Sequence, residues 1–158
     1  DISHNKSGDQ DMRIAIGSDH GGYTMKRTII DHLIEQGHDV NDVGCYGPES
    51  CDYPRYGRSV AYAVTCGHAD KGIVLCTTGI GISMVANKVH GIRAALCTDT
   101  TMAYLTRSHN DANVLALGAS IIGENVALDI VNVFLSTPFS NEEKHIRRVS
   151  QIEQEEEI

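Results

Sequence analysis

Residues 72–87 read Gly72-Ile-Val-Leu-Cys76-Thr-Thr-Gly79-Ile-Gly81-Ile-Ser-Met-Val-Ala-Asn87. The run Ile73–Leu75 is short and wholly apolar, which suits a strand buried on both faces of a parallel sheet. It ends at Cys76 and breaks into a Thr/Gly loop, after which Ile82 to Lys88 reads as helix. A strand, a glycine-rich turn and a helix N-terminus gather free backbone N–H groups around one point, the arrangement that holds an anion. A thiol at the carboxyl end of the strand points into the same crevice. The stretch therefore implies an enzyme that steadies an anionic intermediate beside a reactive cysteine.

Outward from this unit the chain alternates strand and helix. Arg13–Gly17, Asp39–Val43, Ile92–Cys97 and Val114–Leu117 read as four further strands. Tyr23–Gln36 carries Met25, Ile29, Ile30, Leu33 and Ile34 at helical spacing, and Gly37 suits its C-cap. Tyr56–Cys66, Asp99–Ser108, Glu124–Leu135 and a more polar Asn141–Glu153 read as helices, and Gly44–Pro54 as a loop with a Gly47-Pro48 turn. Five strands alternating with helices predict a three-layer α/β/α sandwich, Rossmann-like, with a mostly parallel sheet. Ligands of such sheets bind beyond the carboxyl ends of the strands. Those ends carry Asp19-His20, Cys76-Thr-Thr-Gly79, Thr98-Asp99 and Gly118. One domain is expected over residues 12–153, after a disordered N-terminal extension over 1–11 and before an acidic tail over 154–158. Met12 would suit a natural start.

Bulk properties narrow the partners. The chain has 158 residues, enough for one domain with a full core, and 41% of them are hydrophobic. Its net charge is −8, from 13 Lys+Arg against 21 Asp+Glu. That argues against a nucleic-acid or anionic-membrane partner, while leaving room for a local basic pocket. No apolar stretch approaches the ~20 residues of a membrane span. Five cysteines, at 45, 51, 66, 76 and 97, form no CxxC and no zinc spacing with histidine. They read as free thiols in a reducing, cytoplasmic setting, and no metal site is expected.

Several motifs follow one another in order: Gly17-Ser-Asp-His-Gly-Gly22, Asp52-Tyr-Pro54, Cys76-Thr-Thr-Gly-Ile-Gly-Ile-Ser83, Ala86-Asn-Lys88, Gly91-Ile-Arg-Ala94 and His109-Asn-Asp-Ala-Asn-Val-Leu115. Together they resemble the ribose-5-phosphate isomerase B family, which also includes the galactose-6-phosphate isomerase subunits. The resemblance spans about residues 12–153. It implies a cofactor-free aldose–ketose isomerase that takes the C2 proton from an open-chain sugar phosphate, forms a cis-enediolate and returns the proton to C1. Such chemistry needs a base, donors for the enediolate oxygens, an acid to open the furanose and a cationic phosphate clamp.

On this resemblance Cys76 is the base. A second branch of the family uses a glutamate where Ile82 stands here, and Ile82 cannot take a proton. Thr77, Thr78, Gly79, Ile80 and Gly81 match the anion-cradling loop, with Thr78 donating to a substrate oxygen. Asp19 and His20 match the pair that contacts the sugar and helps open the ring. His109 matches the acid for ring opening, with Asn110 beside it, and Tyr53 matches a pocket residue. Lys144, His145 and Arg148 match the phosphate clamp, with Arg147 an extra candidate. Ser120 departs from the pattern, since the family often has a phosphate-binding arginine there. Family members are dimers or tetramers, so a homodimer or homotetramer is expected, with His109 and the C-terminal basic residues serving a partner's Cys76.

Each residue also has a plainer reading. Cys76 alone would be a buried structural thiol, Gly79-Ile-Gly81 a strand–helix turn, Asp19 an N-cap and His109 a surface histidine at a helix end. Tyr53 would be packing, and the basic run a solvated helix face. Gly79-Ile-Gly81 is not a dinucleotide fingerprint, because Met84 occupies the third glycine position. Two other functions fit the pattern less well: an isomerase for a six-carbon sugar phosphate such as galactose 6-phosphate or allose 6-phosphate, and a non-catalytic nucleotide-binding α/β module. The latter has no need of Asp19, Cys76 and His109 together.

Overall fold

The apolar strands predicted at the centre of the sequence form the centre of a five-stranded sheet. A computed structural model describes residues 11–155. Its strands are β1 (Arg13–Ser18), β2 (Asp39–Asp42), β3 (Lys71–Cys76), β4 (Ala94–Leu96) and β5 (Val114–Gly118). They lie in the order β2-β1-β3-β5-β4, and every neighbouring pair is parallel. The sheet is thus wholly rather than mostly parallel. The helices are α1 (Tyr23–Glu35), α2 (Tyr53–Thr65), α3 (Ile80–Asn87), α4 (Thr100–Asn110), α5 (Glu124–Ser136) and α6 (Glu143–Glu153). The expected disordered extension falls outside the described residues except for Asp11, and the expected acidic tail except for Gln154 and Glu155.

Side-chain alternation along the buried strands splits the core in two. Ile14, Ile16, Ile73, Leu75, Leu115 and Leu117 pack against α1 and α5, around Ile29, Leu33 and Phe134. Ala15, Val74, Cys76, Val114 and Ala116 face α2 and α3, around Val60, Ile82 and Ala86. Smaller residues on the second face let those helices come close. A Cβ on Gly72 would stand 2.5 Å from Val60. The same alternation puts the Cys76 side chain under α3. Sheet edges are half exposed, and at β4 the Asn87 side chain accepts from the Ala94 N–H and donates to the Ala94 carbonyl.

Boundaries differ from the sequence reading where local chemistry was missed. Helix α2 starts at Tyr53 rather than Tyr56, because Pro54 sits in its first turn, where no backbone N–H is needed. Helix α3 starts two residues early, at Ile80, straight after a left-handed Gly79. Strand β4 is shorter than expected, and α6 starts at Glu143 after Asn141 turns to φ 56°. Gly37 does end α1, with φ 92° and its N–H donating to Ile34.

Candidate active site

Chain order reverses around β1: the first crossover goes to β2 on one side, the next to β3 on the other. Loops leaving the carboxyl ends of β1 and β3 therefore diverge and open a crevice. Asp19 and Cys76 stand on either side of it, with the Asp19 N–H donating to the Leu75 carbonyl.

The Cys76 thiol is 5% exposed, and its Sγ accepts the Gly79 N–H at 3.1 Å. That bond requires the loop to fold back, and only glycine allows it. Gly79 has φ 78°, and a Cβ there would lie 2.8 Å from the Leu117 carbonyl carbon and 2.9 Å from the Gly118 nitrogen. The carbonyls at the start of the loop are used up. Cys76 O accepts from Ala119 N–H, and Thr77 O accepts from both the Ser120 N–H and the Ser120 hydroxyl. Ile80 N–H is bonded to Thr78 Oγ1, whereas Gly81 and Ile82 belong to the helix's first turn, whose N–H groups the helix cannot satisfy itself. Because Thr78 Oγ1 already accepts, its hydroxyl proton is free to be donated outward. Tyr53 crosses over this turn; a Cβ on Gly81 would strike its ring.

On the facing wall Asp19 is buried, and its Oδ1 caps the short 3-10 turn His20–Gly22 by accepting from Gly22 N–H at 3.1 Å. The plainer reading of Asp19 as a cap is thus correct for one of its two oxygens. His20 is exposed and accepts the Cys51 N–H at Nδ1, 3.2 Å away. A neutral His20 must then carry its proton on Nε2. The Gly44–Cys51 loop that supplies this bond is anchored by Lys26. Its ammonium is fully buried, donates to Asp42 at 2.6 Å and to the Cys45 carbonyl at 2.8 Å, and lies between the Tyr23 and Tyr46 rings. The sequence reading missed Lys26. Its position one turn before Ile29 and Ile30, on the apolar stripe of α1, was the available signal.

His109, Asn110, Lys144, His145 and Arg148 form a second group elsewhere. Cys76 pairs with Gly118 at the end of β5, while His109 and Asn110 precede its start at Val114. Five residues of strand separate the two levels, about 16 Å. Asp111 closes α4 in a left-handed turn, φ 47°, and two arginines brace it. Arg107 is buried and donates to Asp111 and to the Ala112 and Thr137 carbonyls; Arg93 donates to the Asn110 and Asp111 carbonyls and pairs with Glu153. His145 does not face solvent as a phosphate ligand would. It is buried, stacked on the exposed His109 ring with centroids 4.2 Å apart, and its Nδ1 bonds Ser140 Oγ at 2.6 Å. Burial first, and His109 next, hold its imidazole below the usual range. Lys144, Arg147 and Arg148 are exposed on α6.

A cavity borders each of these groups. One, of about 280 Å³, lies between Tyr53, Gly81 and Lys88; the other, of about 560 Å³, lies between Arg93, Asn110 and Glu153. Among the remaining thiols, burial pushes Cys97 up to about 12 and also raises Cys51.

A Ribose/Galactose Isomerase family model matches residues 14–152. The chain is 44% identical over 140 residues to ribose-5-phosphate isomerase B of Escherichia coli, covering 89% of this chain and 93% of that one. It is similar to the structure of Clostridium thermocellum ribose-5-phosphate isomerase B, with TM-score 0.89, 54% identity and coverage of 90% and 95%. The Thermotoga maritima ribose 5-phosphate isomerase structure matches with TM-score 0.88, 45% identity and coverage of 91% and 99%. With the glycine-locked Cys76 loop at the mouth of a wholly parallel sheet, these matches make the chain a member of the ribose/galactose isomerase family.

Proposed function

We propose that the protein interconverts ribose 5-phosphate and ribulose 5-phosphate, with Cys76 as the base. The observation that carries this is the Cys76 sulfur, buried and accepting the Gly79 N–H just before the N-terminus of α3. The thiolate takes the C2 proton of the open-chain aldose, and the Gly79 N–H offers the sulfur a donor. The electron pair moves into a C1–C2 double bond, giving a cis-enediolate. The loop N–H groups and the Thr78 hydroxyl meet its oxygens, and the proton returns to C1. Asp19, through its oxygen not used for capping, and His20, through Nε2–H, hold the sugar hydroxyls. Tyr53 closes the wall above Gly81.

His109 opens the furanose by protonating the ring oxygen, with Asn110 beside it and Lys144 and Arg148 on the phosphate. Since these residues and Cys76 lie at opposite ends of the sheet, a second copy of the chain supplies them. A homodimer or homotetramer with shared sites fits this separation. Five free cysteines suit a reducing, cytoplasmic setting. The ribose-5-phosphate isomerase B matches do not favour the six-carbon reading, and the nucleotide-binding reading draws no support from them.

The test is a coupled assay on ribose 5-phosphate beside six-carbon sugar phosphates, with Cys76→Ser as control. A serine hydroxyl is far too weak a base, so kcat should fall by about 10²–10⁴-fold while the fold is kept. Near-normal turnover by the serine variant would remove Cys76 from the mechanism.

A further inference from the structure

We propose that His145 is a positioning residue for His109, holding its ring in the orientation that delivers the ring-opening proton; this rests on the reading of His109 as the acid. Three observations support it. First, the rings stack at 4.2 Å with 30° between their planes, the buried ring beneath and the exposed ring above. Second, His145 is itself fixed from behind: its Nδ1 is hydrogen-bonded to Ser140 Oγ, which is held in turn by the Glu142 N–H it accepts. Third, the surroundings of His145 disfavour charge on its ring. Burial, His109, Lys144 and Arg148 all disfavour a charged His145, and only Glu142 opposes them. Of the two rings, the exposed His109 is the one that can reach a substrate.

Ser140 further ties the two helices together, because its backbone N–H donates to the Ser108 carbonyl next to His109. The basic residues of α6 and the histidine of α4 are thereby set at a fixed spacing. His145 acts through His109 and need not touch the sugar.

The experiment compares His145→Ala and His145→Phe. Phenylalanine keeps a ring under His109 but cannot bind phosphate or bond Ser140. Two rates are measured: isomerisation of cyclic ribose 5-phosphate, and solvent-deuterium exchange at C1 of ribulose 5-phosphate, whose blocked C5 oxygen prevents furanose formation. Histidine side-chain NMR of the free protein reports the motion of the His109 ring. His145→Ala should lower kcat on ribose 5-phosphate by about 10- to 100-fold, the scale of a misplaced catalytic group. It should leave exchange within about 2-fold, and His109 should become mobile. His145→Phe should recover most of the loss. The proposal is overturned if the effect lies in KM alone, if phenylalanine rescues nothing, or if His109 is equally ordered in both variants. Should His145→Ala fail to fold, His145→Phe is set against wild type. A His109 ring as ordered as in wild type, with most of kcat kept, then supports the proposal, and a mobile ring or a large loss of kcat overturns it. His109→Asn separates the two claims: full activity there would refute the acid assignment, while the NMR result would still decide whether His145 orders His109.

Discussion

At the mouth of β3 the site is made of backbone, whereas at the foot of α4 it is made of side chains. The Cys76 loop holds its shape through Gly79, the Thr77 and Cys76 carbonyls and the β5 terminus, and its donors are peptide N–H groups. The His109 group holds its shape through side chains: Arg107 on α4, His145 on α6, and Arg93 and Ser140 in the loops before β4 and α6. Backbone donors do not change when residues do, provided glycine stays where φ is positive. Side-chain clusters are open to substitution one member at a time. The first half therefore suits the invariant chemistry of an enediolate, and the second suits adjustment to a particular sugar phosphate. Ser120 fits this contrast: its hydroxyl braces the backbone half by donating to the Thr77 carbonyl.

The contrast breaks most readily at Gly79. Gly79→Ala would force a left-handed alanine, about 1–2 kcal/mol, and drive its Cβ into the β5 backbone. With roughly 3 kcal/mol lost in total, Tm should drop by about 6–12 °C, and kcat should fall by about 100-fold as the donors move. Calorimetry and steady-state kinetics would show it; a tolerated alanine would mean that the loop is not held by its backbone.

Separation of the two halves is sharpened by mixing chains. Cys76→Ser and His109→Asn chains, each inactive alone, should on co-refolding rebuild about a quarter of the wild-type sites if each site draws on two copies. A mixture as inactive as its parents would place both residues in one chain's site.

A smaller, graded effect concerns the thiols. Cys97, pushed up to about 12 mainly by burial and then by Asp99, stays protonated at pH 8. With about one molecule in ten thousand ionised, it should resist iodoacetamide long after exposed Cys66 is labelled, as mass spectrometry of the native protein would reveal. Ribose 5-phosphate should slow labelling of Cys76 and leave Cys66 untouched. Equal labelling of Cys97 and Cys66 would contradict the burial of Cys97.

Most of the backbone half was legible in the sequence, since an apolar run, a thiol and paired glycines each demand a local geometry. The side-chain half was less so. His145 sits in a basic run, Lys144 to Arg148, which by itself reads as a solvated helix face and by resemblance as a phosphate clamp; only the packing of α6 on α4 turns it inward. Lys26 reads as a solvated lysine until β2 delivers Asp42 to it. Pro54 reads as a loop marker until Tyr53 is seen to begin a helix. In each instance the deciding contact comes from residues distant in the chain, or from a turn whose first position tolerates what its interior would not. Arg93 and Arg107, whose roles no motif announces, brace the turn after His109 for the same reason.

Asn87 has a consequence for assembly. By occupying both the N–H and the carbonyl of Ala94 on the outer edge of β4, it takes away one residue of the template on which another chain could add a strand. A second copy cannot prolong the sheet there without first displacing that amide. Strand-by-strand growth is thus hindered at Ala94, the point on that edge nearest the turn that Arg93 braces.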